Sequence, residues 1–397
     1  MRSTGGGVMK VDRIAIPKTI LTLGFVSLFM DLSSELIHSL LPVFLVTTLG
    51  ASALTVGLIE GMAEAAALMV RVFSGTISDF FGKRKFLIFI GYGMAALSKP
   101  LFPMAGNVET VFTARFLDRI GKGIRGAPRD ALIADVSPPE IRGACFGLRQ
   151  SMDTVGAFLG PLLAVSLLFL YQGDIELVLW VAVVPAVLAV LLIVIGIEEP
   201  KARSSYKPAR SPLSFKILKE FSGRYRWVVA LGALFTMARF SEAFLVLRAA
   251  QIGLAVTWIP LAMVLMSLAY ALSAYPAGLW SDRVEKRGLL ALGMAFLVLA
   301  DLILANAETL PMLFAGLALW GFHMGFSQGI LAAMVADTTP ARWKGTAYGF
   351  FNFVGGVFML LASVLAGWLW DRYGAEFTFY CGALFASLTL LMLKKRY

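Results

Sequence analysis

About twenty consecutive apolar residues let an α-helix cross the hydrocarbon core of a bilayer. In this chain of 397 residues such segments recur along the whole length, separated by short polar turns. Their number, about twelve by that length criterion, restricts the fold more than any motif does. Backbone placed in lipid must satisfy its own hydrogen bonds, and only helices or closed barrels do so. The spacing predicts spans at 17–46, 53–78, 86–105, 109–134, 144–170 and 175–197, then 227–250, 256–281, 288–306, 310–336, 346–370 and 375–393. With 58% hydrophobic and 15% charged residues, no stretch is suited to a soluble domain. The expected fold class is an all-α membrane protein of twelve transmembrane helices in two six-helix, pseudo-symmetric halves.

A formal net charge of +10 would suggest nucleic acid in a soluble chain. Here its placement follows topology. With the N-terminus inside, Lys and Arg gather in alternate connections: Lys83-Arg84-Lys85, Arg142, the run 201–226, Arg283 with Lys286-Arg287, Arg342 with Lys344, and Lys394-Lys395-Arg396. The connections near 47–53, 104–109, 171–176 and 304–310 hold none. This positive-inside pattern puts both termini in the cytoplasm. The lipid bilayer is the expected partner, and nucleic acid is not. The first apolar stretch is too long for a cleavable signal and lacks a small-residue cleavage site, so it stays as a membrane helix. Cys145 and Cys381, far apart in apolar surroundings, imply no disulfide framework.

The longest hydrophilic stretch, 198–226, divides the chain into an N-terminal six-helix half (1–197), a cytoplasmic linker and a C-terminal six-helix half (227–397). The halves resemble each other. GTISDFFGKRK at 75–85 matches GLWSDRVEKR at 278–287, and IADVSPPEIRGACFG at 133–147 matches MVADTTPARWKGTAYG at 334–349. Ser34-Glu35 likewise faces Ser241-Glu242. Duplication of a six-helix unit points to a transporter whose halves rock about a central site.

The chain resembles the major facilitator superfamily over essentially its full length. GTISDFFGKRK fits the superfamily's signature between its second and third helices. RFLDRIGKG at 115–123 resembles the fourth-helix signature, with Asp118 where a Gln is common, and GAFLGPLLA at 156–164 partly resembles the fifth-helix signature of antiporters. DLSSE at 31–35 and DRIGKGIRGAPRDALIAD at 118–135 are similar to a bacterial branch that includes nickel-resistance and ferrous-iron efflux permeases. The resemblance implies a monomeric secondary transporter of the bacterial inner membrane, using a proton gradient and no cofactor. It also implies gating by Gly75, Asp79, Gly82, Arg84, Arg115, Asp282 and Arg287.

Inside the first span, Asp31, Glu35 and His38 lie at i, i+4 and i+7 and share a stripe with Ser27 and Pro42. Ionisable groups at bilayer depth cost roughly 2.5–3.5 kcal/mol each on insertion scales, so they face a bundle interior or a watery cavity. The stripe reads either as the wall of a transport pathway or as a polar cluster fixing helix packing. Two carboxylates and an imidazole suit a transported divalent metal such as Ni, Fe or Co. Glu60 and Glu64, also at i, i+4, add oxygens, and His323 is the only other histidine. The same carboxylates, with Glu242 as the repeat partner of Glu35, could take up a proton on one side and release it on the other.

The fourth span complicates this reading, because Arg115, Arg119, Lys122 and Arg129 form a basic stripe. They are either paired with Asp118, Asp130, Glu60, Glu64 and the Arg149–Asp153 pair as gate salt bridges, or form an anion site. Guanidinium forks suit carboxylate-rich solutes. Gly156, Gly160 and Pro161 permit close helix approach and a bend. The chain has no HExxH helix and no nucleotide-binding loop, so an enzyme is not expected. The leading expectation is proton-coupled export of a divalent transition metal. An anionic metal chelate, siderophore or small organic acid comes second, and multidrug efflux third.

Overall fold

The computed structural model describes residues 16–81, 83–198, 221–281, 284–340 and 343–394, without the side chains of 76, 79–81 and 281. Every regular element among the described residues is helical. The first six are α1 (Lys18–His38), α2 (Ala53–Phe81), α3 (Arg84–Ser98), α4 (Val108–Val136), α5 (Arg142–Leu170) and α6 (Ile175–Gly196). The second six are α7 (Gly223–Gln251), α8 (Leu261–Ser281), α9 (Lys286–Ala305), α10 (Leu310–Asp337), α11 (Lys344–Tyr373) and α12 (Ala375–Leu393). Among the described residues, ten helices are long and apolar enough to cross a membrane. The other two, α3 and α4, fall short for opposite reasons: α3 is 15 residues long, and α4 carries the basic stripe.

The expected spans coincide with these helices to within about five residues, except that the third helix ends at Ser98 rather than 105 and that two helices are broken. α7 is interrupted at 239–242, between Gly223–Ala238 and Ala243–Gln251. The Ser241 hydroxyl there accepts from the Ala243 N–H at 3.2 Å, replacing one lost helical bond. α1 stops at His38, turns through Ser39 and Leu40, and restarts at Leu41–Val43 with Pro42 in the first turn, where its missing N–H costs nothing. Interrupted backbone at membrane depth is tolerated only against protein or a water-filled cavity. Both breaks border the site described below.

The chain runs up and down, so Lys18, Ile197 and Phe221 lie at one end of the bundle, the linker end. The turns near 50, 105, 172, 307 and 374 lie at the other. Within the first half α1 packs along α5, where a Cβ at Gly156 would meet the Leu28 carbonyl and one at Gly160 would lie 2.8 Å from the Leu32 carbonyl oxygen. Between the halves, α2 lies along α11, α5 contacts α8, and the 41–43 turn contacts the second part of α7. A side chain at Gly57 would collide with the Ser363 carbonyl. At the end opposite the linker, Asp371 of α11 accepts hydrogen bonds from the N–H groups of Ala53 and Leu54 at 3.0 and 2.9 Å. It thereby caps α2 from the other half of the molecule and meets the positive end of its dipole. Cys145 and Cys381 are both free.

Candidate functional site

Two adjoining cavities occupy the middle of the bundle. The larger, about 360 Å³, is lined entirely from the first half, by α1, α2, α4 and α5. The smaller, about 200 Å³, lies between the halves and is closed on the far side by Arg239, Phe240, Ser241 and Glu242 of the α7 break and Met359 of α11. Glu35, Glu64 and Lys122 line both cavities and so mark the passage between them.

Most of the charge is answered by charge. Arg115 and Glu60, each 1% exposed, pair at 2.6 Å. Arg119 reaches Glu64 at 3.2 Å and Asp118 at 3.6 Å. Lys99, also 1% exposed, donates to Asp118 at 2.8 Å and to the Ser34 hydroxyl at 2.9 Å. His38 Nδ1 lies 3.3 Å from Glu35 and its Nε2 3.7 Å from Glu60. Toward the linker end, Arg71 and Arg129 hold Asp130 at 3.1 and 3.3 Å, and Arg149 holds Asp153 at 3.2 Å. Burying a charge without an opposite one costs several kcal/mol, so the ion pairs allow this charge density inside a membrane protein.

Lys122 is different. It is exposed to both cavities, and no carboxylate or hydrogen-bond acceptor lies within bonding distance of its ammonium among the described residues. Arg125 beside it lies over the Tyr92 ring at 4.3 Å, with one terminal nitrogen unpartnered.

Of the stripe in α1, Glu35 and His38 pair with each other; His38 belongs to the smaller cavity, Glu35 lines both, and Asp31 lines the larger one and contacts Asp153 of α5. About two helix turns separate Asp31 from His38, so the three side chains share a face but not a coordination sphere. Among the described residues no three His, Cys, Asp or Glu side chains are gathered as a metal-ligand set.

Glu242 lies across the smaller cavity from Glu35 and pairs with Arg239 at 3.5 Å. Gln328 of α10, with its amide oxygen turned to Arg239, accepts from both terminal nitrogens at 3.0 and 2.9 Å. His323 lies in α10 outside both cavities, fully buried, with Nδ1 against the Trp320 carbonyl and Nε2 unpartnered.

Of the expected gating residues, Arg115 belongs to the central network rather than to an end of the bundle. Arg84 pairs with Asp135 at 2.5 Å and ties α3 to α4, and Arg287 lies over the Trp227 ring. Gly75 faces Ala127 of α4. Gly82, Asp282 and the side chain of Asp79 fall outside the described residues.

Sequence reasoning passed over Lys99 and Asp301. Lys99 had a signal, a lone ammonium inside an apolar run one residue before Pro100. Asp301 is 0% exposed within α9 with neither oxygen hydrogen-bonded, and its neighbours Gly382 and Phe240 come from helices distant in sequence.

Two sets of six helices with a polar cavity between them have the architecture of a secondary transporter. The sequence model described as Major Facilitator Superfamily matches residues 23–357, with a second match at 241–396, and the chain belongs to that family. An uncharacterized MFS-type transporter of Methanocaldococcus jannaschii is 30% identical over 385 residues, covering 95% of this chain and 94% of that protein. The multidrug resistance protein MdtH of Salmonella arizonae is 25% identical over 370 residues, covering 90% and 85%. Among solved structures, a D-xylose–proton symporter superposes with a TM-score of 0.76 at 15% identity, covering 95% of this chain and 97% of that one. At that identity the likeness bears on the fold alone.

Proposed function

We propose that the transporter carries a small organic anion, bound at the junction of the two cavities by Lys122. The observation behind this is the contrast on α4: Arg115 and Arg119 are neutralised by Glu60, Glu64 and Asp118, while the Lys122 ammonium stands free in the space a solute would occupy. An unpaired cation in a partly desolvated cavity attracts an anionic ligand strongly. Free divalent metal export is less well supported, because Asp31 and His38 lie in different cavities and no three candidate ligands are gathered among the described residues. An anionic metal chelate remains within the class.

The placement of Lys and Arg supports a linker end in the cytoplasm. The seam capped by Asp371 would then be the closed outer gate, and the cavities would load from inside. The multidrug relatives give a second reading some weight, since an apolar groove of about 340 Å³ lies between α7 and α11, lined by Phe221, Tyr225, Val229, Phe350, Val354 and Phe358.

Proteoliposomes with an imposed pH gradient test the proposal. Flux of free Ni, Fe and Co ions is compared with that of citrate, of the metal–citrate complexes and of ethidium. Flux of the carboxylates that is lost in Lys122→Gln is the expected result. Flux of bare metal ions or of ethidium alone, unaffected by Lys122→Gln, would overturn the anion reading. Dependence on the direction of the pH gradient reports proton coupling in the same assay.

A further inference from the structure

Two side chains lining the larger cavity lack both an opposite charge at ion-pair distance and a stacking partner among the described residues. They are Lys122 of α4 and Asp31 of α1. Asp31 is in contact with the Asp153 carboxyl of α5, whose own charge is answered by Arg149 at 3.2 Å and Arg129 at 4.0 Å. Two carboxyl groups in contact repel unless a cation or a proton lies between them. Lys122 is close enough to act on both electrostatically, yet forms an ion pair with neither. The same cavity thus presents a free ammonium on one wall and, on another, the Asp31 carboxyl with no cation at ion-pair distance among the described residues.

We infer that the solute is a zwitterion, an organic acid that also carries an ammonium group. Its acid sits on Lys122 and its ammonium between Asp31 and Asp153. This rests on the anion reading above and deepens it. A solute carrying both charges compensates Lys122 and Asp31 together, so neither is left uncompensated when the cavity closes. A simple anion would satisfy only the lysine, and a simple amine only Asp31. Stranding a charge in a closed, desolvated cavity is strongly unfavourable. The cavity volume of about 360 Å³ suits a molecule of amino-acid size rather than a large chelate.

Thermal melts of the purified full-length protein in nanodiscs test this with three matched series: ω-amino acids from 3-aminopropanoate to 6-aminohexanoate, the carboxylates lacking the amine, and the amines lacking the carboxylate. At least one ω-amino acid should stabilise the protein at a concentration about tenfold or more below its matched carboxylate, the size of one added charge-assisted contact. Asp31→Asn should abolish that advantage and leave the carboxylate response in place. Lys122→Gln should remove both responses. Should Asp31→Asn fail to fold, Asp153→Asn is the second variant and should reduce the same advantage.

Equal responses to amino acid and carboxylate, or an advantage that survives both Asp variants, would overturn the zwitterion and leave the anion site standing. A carboxylate response that survives Lys122→Gln, or no response from any series, would overturn the anion reading as well.

Discussion

The two halves of the molecule carry matching sequence motifs but have different interiors. In the first half, α4 carries Arg115, Arg119 and Lys122 against Glu60 and Glu64 of α2. The repeat offset of 203, read from Asp79 and Asp282, sets these against Ala318, Phe322 and Gly325 in α10 and Met263 and Ser267 in α8. The second half is instead filled by rings: Phe240 lies 5.3 Å from Trp320 and 5.6 Å from Phe379, and Trp320 lies 5.2 Å from His323. It reaches the cavities mainly through the α7 break. The buried charge is thus concentrated in one lobe, while the other supplies an apolar wall with one polar edge. Ion pairs fix the first lobe by demanding satisfaction, and aromatic packing fixes the second by excluding water.

Removing one member of a buried pair should expose this contrast most sharply. Glu60→Ala leaves Arg115 buried without its nearest carboxylate, with only Asp118 at 3.9 Å, and a loss of about 3 kcal/mol is expected, read as a large fall in melting temperature. A melting temperature like the wild type's would mean that the charged lobe does not depend on its pairs.

Lys122→Gln should cost next most, but in function rather than stability. Transport or binding should fall about tenfold or more, the value of one charge-assisted contact, with the melting temperature little changed because the side chain is exposed. Lys122→Arg keeps the charge and should recover part of the loss, so equal defects in both variants would remove Lys122 from the site.

The seam offers a smaller effect. Asp371→Ala deletes a cap worth about 1 kcal/mol, enough to raise the population open at the Asp371 end about fivefold. Spin-label distances between residues 52 and 373 would record it, and an unchanged distribution would show that the cap holds nothing closed.

The smallest effect is expected in the aromatic lobe. Asp301→Leu replaces a carboxyl with no hydrogen-bond partner by an apolar group of similar size, so stability should stay within about 1 kcal/mol or rise. A marked loss of transport in a stable Asp301→Leu protein would show that the second lobe carries more than packing.

Much of the architecture was legible in the sequence. Twelve spans, the duplication and the family signatures all follow from local pattern, because a bilayer imposes one length and one polarity on every crossing segment. The basic stripe of α4 and the acidic stripes of α1 and α2 were legible too, since helical periodicity fixes which residues share a face. Periodicity does not say which stripe meets which. Asp31, Glu35 and His38 were grouped by spacing, yet Asp31 and His38 lie in different cavities, with Glu35 lining both. Arg115, expected at a gate, pairs with Glu60, one of the partners the stripe offered. Lys99 was hidden by the apolar run around it, and the α7 break was not marked by any proline or glycine between 239 and 242.

The sequence alone therefore determined what kind of molecule this is, because crossing a membrane is a local demand that each segment meets with its own residues. Only the tertiary structure decided which charges are used up and which are left over. Lys122, Arg115 and Arg119 are alike as residues on one stripe, and what separates them is the carboxylates that α2 brings, or fails to bring, from some fifty positions away.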